Sequence, residues 1–258
     1  MIRDVGGSYR RALAETVHHY TSVHGAAWRP DPATIDALKA EGRWNNDWEA
    51  SLELLRRRGL GEQGQPPLPA FEALVEVFSG FYFGGDPAGD PAHWTGFIGS
   101  EPLLVQPEFF GQLSAANLAW GFVSGAEPPS ARYVLERRLG LQSPPLIAMG
   151  DAPDKPDPTG LLRLAQRLAG APLGADAVPV AYLGDTVADV ETVLRARAAL
   201  PDQRLLSLAV APPHLQVAGQ EAARAAYEQR LRQAGADRVL GHTGEALEVL
   251  LKAVAEAT

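Results

Sequence analysis

Apolar positions change their rhythm along the chain. Over residues 8–25, 31–42 and 46–59 they recur at helical spacing, which predicts three helices. The stretch GQPPLP at 64–69 interrupts that pattern. Residues 70–85 then read as another amphipathic helix, 86–96 as a Pro/Gly-rich loop, and 107–120 as a helix leading into a different regime. From residue 120 onward, short continuously apolar runs alternate with helical stretches. The runs are 120–124, 145–149, 178–184, 204–210 and a shorter 237–241. The helices between and after them cover 128–140, 158–170, 185–200, 220–236 and 243–257. Strands without polar alternation are covered on both faces, as in a parallel sheet with crossover helices. The predicted fold class is α/β, a doubly wound parallel sheet, with a helical region inserted ahead of most of it. The expected boundaries are 1–7 with 105–258 for the α/β core and 8–104 for the helical insert.

Composition narrows the function classes. At 258 residues the chain can bury a substantial core. Its net charge of −8 speaks against a nucleic-acid surface. The basic clusters at Arg56–Arg58 and Glu136–Arg138 fall in helical stretches and read as solvated faces. There is no cysteine, hence neither a disulfide framework nor a thiolate zinc site. No apolar run approaches the ~20 residues of a membrane span. The N-terminal segment, with Arg3, Asp4 and Arg10, has no apolar core of a signal peptide. A soluble, cytoplasmic protein with neither membrane nor nucleic-acid partners is expected. Nothing in the pattern sets an oligomeric state.

Three motifs carry chemistry. In VAYLGDTVADV an apolar strand ends at Gly184, Asp185 follows, and Asp189 comes one helical turn later on the same face. Ligands bind at the carboxyl ends of strands in open α/β sheets, and two carboxylates there can share a hard cation such as Mg2+. The blander reading makes Asp185 a helix cap and Asp189 a surface charge. In GFVSG a strand ends on Ser124 and Gly125, where a hydroxyl and backbone N–H groups suit a phosphate oxygen, or simply turn the chain. In GDAPDKPDP, Lys155 is confined by Pro156 to extended geometry; it is either a solvated loop cation or one held over a dianion.

Taken in order, each just after a successive strand, these motifs resemble the haloacid dehalogenase (HAD) superfamily of phosphatases and phosphotransferases. The resemblance spans nearly the whole chain, because one subfamily places a helical cap directly after its first strand. It implies a Rossmann-like core with an inserted cap and Mg2+-dependent phosphoryl transfer through an aspartyl-phosphate. Ser124 and Lys155 would hold phosphoryl oxygens, and Asp185 with Asp189 would hold Mg2+. The cap would set specificity. In EGRWNNDWEASL, Arg43, Asn45 and Asn46 could read the substrate's hydroxyls or a second anionic group, or Asn46 or Asp47 could simply cap a helix over packed Trp rings.

The family pattern has one more element, a strand ending in DxDG that carries the nucleophile and the general acid and base. MIRDVGGSYRR resembles the segment just after that motif, so the aligned strand would lie upstream of Met1. Asp4 could stand in as nucleophile, but the turn that starts the first helix suits it better: Gly6 stands where the second carboxylate belongs, and three residues are too few for a buried strand. The strand would sit centrally in the sheet, and without it two inward edges stay unpaired. The expected function is a Mg2+-dependent phosphatase of a small phosphorylated metabolite in a full-length form. The alternative is an inactive relative that binds a phosphorylated ligand or a partner.

Overall fold

The computed structural model describes residues 2–39, 41, 44 and 46–255. The chain divides into two compact units, Val5–Pro102 and Met1–Asp4 with Leu103–Thr258. Arg3 forms an antiparallel bridge with Leu103, and the Leu104 N–H donates to the Ile2 carbonyl, which assigns Ile2–Asp4 and Leu103–Leu104 to the α/β unit.

The first unit is helical. It contains α1 (Tyr9–Val23), α2 (Pro32–Lys39), α3 (Asp47–Arg57) and α4 (Phe71–Tyr82). Its core draws Leu13 and Val17 from α1, Leu54 and Leu55 from α3, and Leu74, Phe78 and Tyr82 from α4, all buried. Tyr9 stacks on Tyr82 at 4.1 Å. Glu101, near the end of the unit, is 1% exposed and accepts from the hydroxyls of Ser8, near its start, and Tyr82. A buried carboxylate is tolerated here because donors meet it. The loop expected at 86–96 closes on itself, the Gly96 N–H donating to the Phe83 carbonyl at 2.8 Å.

The second unit is α/β. The helix α5 (Pro107–Ala115) precedes β1 (Phe122–Val123). There follow α6 (Pro128–Arg132), continued by a π-helical turn Tyr133–Arg138, then β2 (Leu146–Ile147) and α7 (Thr159–Ala169). The series ends with β3 (Val180–Gly184), α8 (Val187–Ala199), β4 (Leu205–Val210), α9 (Glu221–Gln233), β5 (Arg238–Leu240) and α10 (Ala246–Ala255). All strand pairs are parallel: β1 with β2, β3 with β4, and β4 with β5. The strands expected at 120–124 and 145–149 shorten to two residues each. Pro145 has no N–H for a ladder, and Gly150, at φ 87°, turns the chain just beyond Met149.

Both faces of the sheet are covered. On one, Val180, Tyr182 and Leu205 meet Leu161 of α7 and Val193 and Ala196 of α8, and Ala209 and Val239 meet Leu231 of α9. On the other, Ala181, Leu183, Leu206 and Leu208 meet Phe109 of α5 and Leu250 of α10. The continuously apolar strands are thus explained by burial from two sides.

The sheet is in two pieces, β1–β2 and β3–β4–β5. Among the described residues no ladder joins β1 to β3. The same helices nevertheless span both pieces. Phe109 and Leu250 also pack in the cluster around Phe122 and Leu146, and Gly160 of α7 lies against Val123 and Ile147, where a Cβ would touch both at 3.4 Å.

Ser207 is the polar misfit of this layer. It is 1% exposed in β4, and its Oγ has no hydrogen-bond partner among the described residues. A buried hydroxyl left unpaired costs ~1–3 kcal/mol. Ser207→Ala is therefore expected to leave the melting temperature unchanged or raise it by a few degrees, about 2–4 °C per kcal/mol recovered, in a thermal melt.

Candidate functional site

Three loops leave the C-terminal ends of β1, β2 and β3. After β1, the Ser124 N–H donates to the Ile147 carbonyl at 2.8 Å and so keeps the register with β2. Its Oγ accepts the Ala126 N–H at 3.0 Å, forming a local turn. Gly125 is exposed, with open space where a Cβ would stand.

After β2, Asp151 accepts the Ala148 N–H at 2.8 Å, and Arg163 of α7 donates to the Asp151 carbonyl at 2.6 Å. Asp157 accepts the Thr159 N–H at 2.9 Å at the start of α7. Lys155 lies between these two anchors. Its side chain is 26% exposed, and its Nζ donates to Asp189 Oδ1 at 2.6 Å.

After β3, Asp189 is the hub. It is 1% exposed. Its Oδ1 accepts from Lys155 and from the Tyr182 hydroxyl at 3.1 Å. Its Oδ2 accepts from the Asp185 N–H at 3.1 Å, the Thr186 N–H at 3.0 Å and the Thr186 hydroxyl at 2.7 Å. Thr186 completes a capping box by accepting the Asp189 N–H. Gly184 leaves room for this arrangement, since a Cβ there would lie 2.0 Å from the Asp189 Cβ. The Tyr227 hydroxyl on α9 donates to the Asp185 carbonyl at 2.8 Å. The Asp185 backbone is therefore held on both sides.

The electrostatics arise from burial and these contacts. Burial pulls the Lys155 ammonium down, but Asp189, with Asp185 and Asp154, more than offsets it and holds Lys155 above its ordinary value. Burial pushes the Asp189 carboxyl up, and Lys155 together with the Thr186 donors brings it below the usual range. Asp185 goes the other way: burial, reinforced by the Asp189 charge, outweighs the positive charges around it, Lys155 among them, and raises it. Burial and the Asp189 charge keep the Tyr182 phenol protonated, as a donor must be.

The structure thus brings together Lys155, Asp189 and Asp185. Ser124 and Gly125 stand at the corresponding end of β1 and share no hydrogen bond with that trio among the described residues. The pair expected to share a cation is divided in role. The Asp189 oxygens are taken up by five donors, one of them an ammonium that would repel a metal, whereas Asp185 accepts no side-chain hydrogen bond among the described residues. Asp185, and not Asp189, fits a hard cation as one oxygen ligand beside water and phosphate oxygens. No cluster of three or more His, Asp or Glu suited to a metal occurs among the described residues. The cap of α8 is Thr186, so neither aspartate fills the role that the blander reading gave it.

Asn46 is the N-cap of α3. Its Oδ1 accepts the Trp48 N–H at 2.9 Å and the Glu49 N–H at 3.3 Å, which commits the oxygen that was to read a substrate. Trp48 meets Phe71 and Phe78 edge-on inside the helical unit. Arg43 and Asn45 lie outside the described residues. Sequence reasoning passed over Tyr182, Thr186 and Tyr227. The Thr186-x-x-Asp189 spacing of a capping box was a usable signal for one of them. Nothing local marks Tyr227, 42 residues beyond the carbonyl it meets.

No family model matches the chain. Among curated proteins, the imidazoleglycerol-phosphate dehydratase of Phytophthora nicotianae is 28% identical over 192 residues, 74% of this chain and 38% of that protein. The chain thus spans well under half the length of that relative. Among solved structures, phosphatase Tt82 from Thermococcus thioreducens superposes with a TM-score of 0.61 at 20% identity, over 80% of this chain and 88% of that one. CbbY from Rhodobacter sphaeroides, in complex with phosphate, gives 0.56 at 17% identity over 95% and 91%. A HAD-superfamily hydrolase of subfamily IA from Geobacter sulfurreducens gives 0.52 at 13% identity over 96% and 91%. At these identities the likeness is one of fold.

Proposed function

Because the chain has the haloacid dehalogenase-like fold, we propose that it is the body of a Mg2+-dependent phosphatase acting on a small phosphorylated metabolite. The observation that carries this reading is the Lys155–Asp189 ion pair, with the open carboxylate of Asp185 beside it, at the carboxyl ends of parallel strands. Lys155 offsets charge on the phosphoryl group, and Ser124 and Gly125 offer a hydroxyl and backbone donors at the neighbouring strand end. Asp189 holds Lys155 and the loop in place. Asp185 would ligate Mg2+, which when bound supplies neutralisation of phosphoryl charge. The nucleophilic carboxylate belongs to a full-length form, on a strand that pairs with both β1 and β3. The split sheet, spanned above and below by shared helices, supports that placement. The helical unit serves as the cap, with Arg43 and Asn45 as its substrate readers, and the protein works in the cytoplasm.

The second reading is a phosphate-ligand binder without turnover. The test is Mg2+-dependent phosphate release from p-nitrophenyl phosphate, measured on this chain and on one extended upstream through an in-frame strand ending in DxDG. Turnover by the extended chain alone, abolished by Asp185→Asn, is the expected result. No turnover by either moves the binder reading ahead. A second panel of substrates includes a phosphorylated imidazole polyol, because the Phytophthora relative is named for one.

A further inference from the structure

We propose that Tyr182 is a positioning residue for Lys155, acting through the carboxylate oxygen they share. This rests on the reading that Lys155 meets the substrate's phosphoryl group. Asp189 Oδ1 has two in-plane lone-pair directions, and its two partners are the Lys155 ammonium at 2.6 Å and the Tyr182 hydroxyl at 3.1 Å. The three donors from the loop all go to Oδ2. A lysine ammonium is a compact charge with three equivalent donors on a flexible stem, so one carboxylate contact does not by itself fix its direction. The phenol takes one of the two lone pairs and leaves Lys155 the other. Tyr182 itself is rigid: it lies in the β3 ladder, paired with Ser207 of β4, and its ring packs against the buried face formed by Leu161, Val193 and Ala196. The hydroxyl is thereby anchored to the sheet, and the cation is aimed by way of the carboxylate.

Without the hydroxyl, Asp189 Oδ1 offers both lone pairs to Lys155. The ammonium then turns further toward the carboxylate and away from an incoming anion. The ion pair survives, so the loss falls on anion binding more than on folding. This separates Tyr182 from Thr186, whose contacts with Oδ2 hold the cap of α8.

The experiment is a titration of the full chain with inorganic phosphate in the presence of Mg2+, followed by 31P NMR, alongside thermal melts. The proteins are wild type, Tyr182→Phe, Lys155→Met and the double variant. Tyr182→Phe is expected to weaken phosphate binding about fivefold, the loss of one hydrogen bond's worth, with little change in melting temperature. In the Lys155→Met background the same change should do nothing further, because Tyr182 acts only through Lys155. The inference is overturned if Tyr182→Phe leaves phosphate affinity unchanged while Lys155→Met lowers it. It is equally overturned if Tyr182→Phe weakens binding by the same factor with and without Lys155. Should wild type bind no phosphate, or Lys155→Met bind it normally, the role given to Lys155 under the proposed function fails, and this inference fails with it.

Discussion

Replacing Asp189 by Asn should lower the melting temperature by about 6–20 °C, corresponding to ~3–5 kcal/mol for breaking a buried ion pair from one side. The loss has several sources. Lys155 keeps a charge that is three-quarters shielded from water and has no counter-ion in contact. On the other side of the carboxylate, two N–H groups and a hydroxyl converge on Oδ2. An amide must present its NH2 either to those three or to Lys155 and Tyr182, so donors face donors in both orientations. The capping box of α8 is weakened at the same time.

The effect has a pH signature. Asp189 is depressed in the folded protein, so its contribution is present above the ordinary carboxylate value of 3.8 and is lost as pH falls from there through the folded-state value. Asp185 has the opposite sign. Its raised value makes its contribution complete below 3.8 and lost as pH rises through that raised value. Melts of wild type and Asp189→Asn should accordingly draw together as pH falls below about 4 and Asp189 protonates. A gap that persists undiminished into strong acid would mean that Asp189 stabilises by shape and not by charge.

Gly96→Ala is the second large effect, and it lies in the helical unit. A Cβ at Gly96 would stand 2.4 Å from both the Phe83 carbonyl carbon and the Tyr82 carbonyl oxygen. These are backbone atoms at the end of α4, where Tyr82 and Phe83 are fully buried, so they cannot yield as a side-chain tip would. Gly84, at φ 68°, meets the same crossing from the other strand of the loop, with the Gly96 nitrogen 2.2 Å from where its Cβ would be. The substitution must break the Gly96–Phe83 hydrogen bond and push the loop off the core, at a cost of ~2–4 kcal/mol and about 4–15 °C in the melt. Gly111→Ala, on the exposed side of α5 with nothing within 4 Å, is the control that should be neutral or slightly stabilising. Equal melts for the two variants would show that the crossing opens without cost.

Much of the architecture was legible in the chain. The change from helical spacing to continuous apolar runs marked the helical insert and the parallel α/β region, because burial on one face and burial on two leave different periodicities. The strand-end motifs could be read for the same reason. A strand that must be apolar throughout makes the first polar residue after it conspicuous, and this is how Ser124 and Asp185 stood out. Asn46 as a helix cap was also available, since an Asn just before an amphipathic run has a local use for its oxygen.

What sequence could not assign was the division of labour within the site. Asp185 and Asp189 are the same residue type four apart, and spacing treats them alike. Only the tertiary fold gives Asp189 five donors and leaves Asp185 open, because Lys155 arrives from the loop after β2 and Tyr182 from within β3. Nor does spacing reveal that Tyr227 reaches back 42 residues from α9, or that Gly84 and Gly96 are glycines because two backbones cross there. Periodicity and caps are set by neighbours a few residues away, so the sequence alone determined the elements, their order and the ends where chemistry gathers. Charges, lone pairs and close approaches are settled between segments far apart in the chain, so which carboxylate is structural and which is open was decided only when the strands were brought side by side.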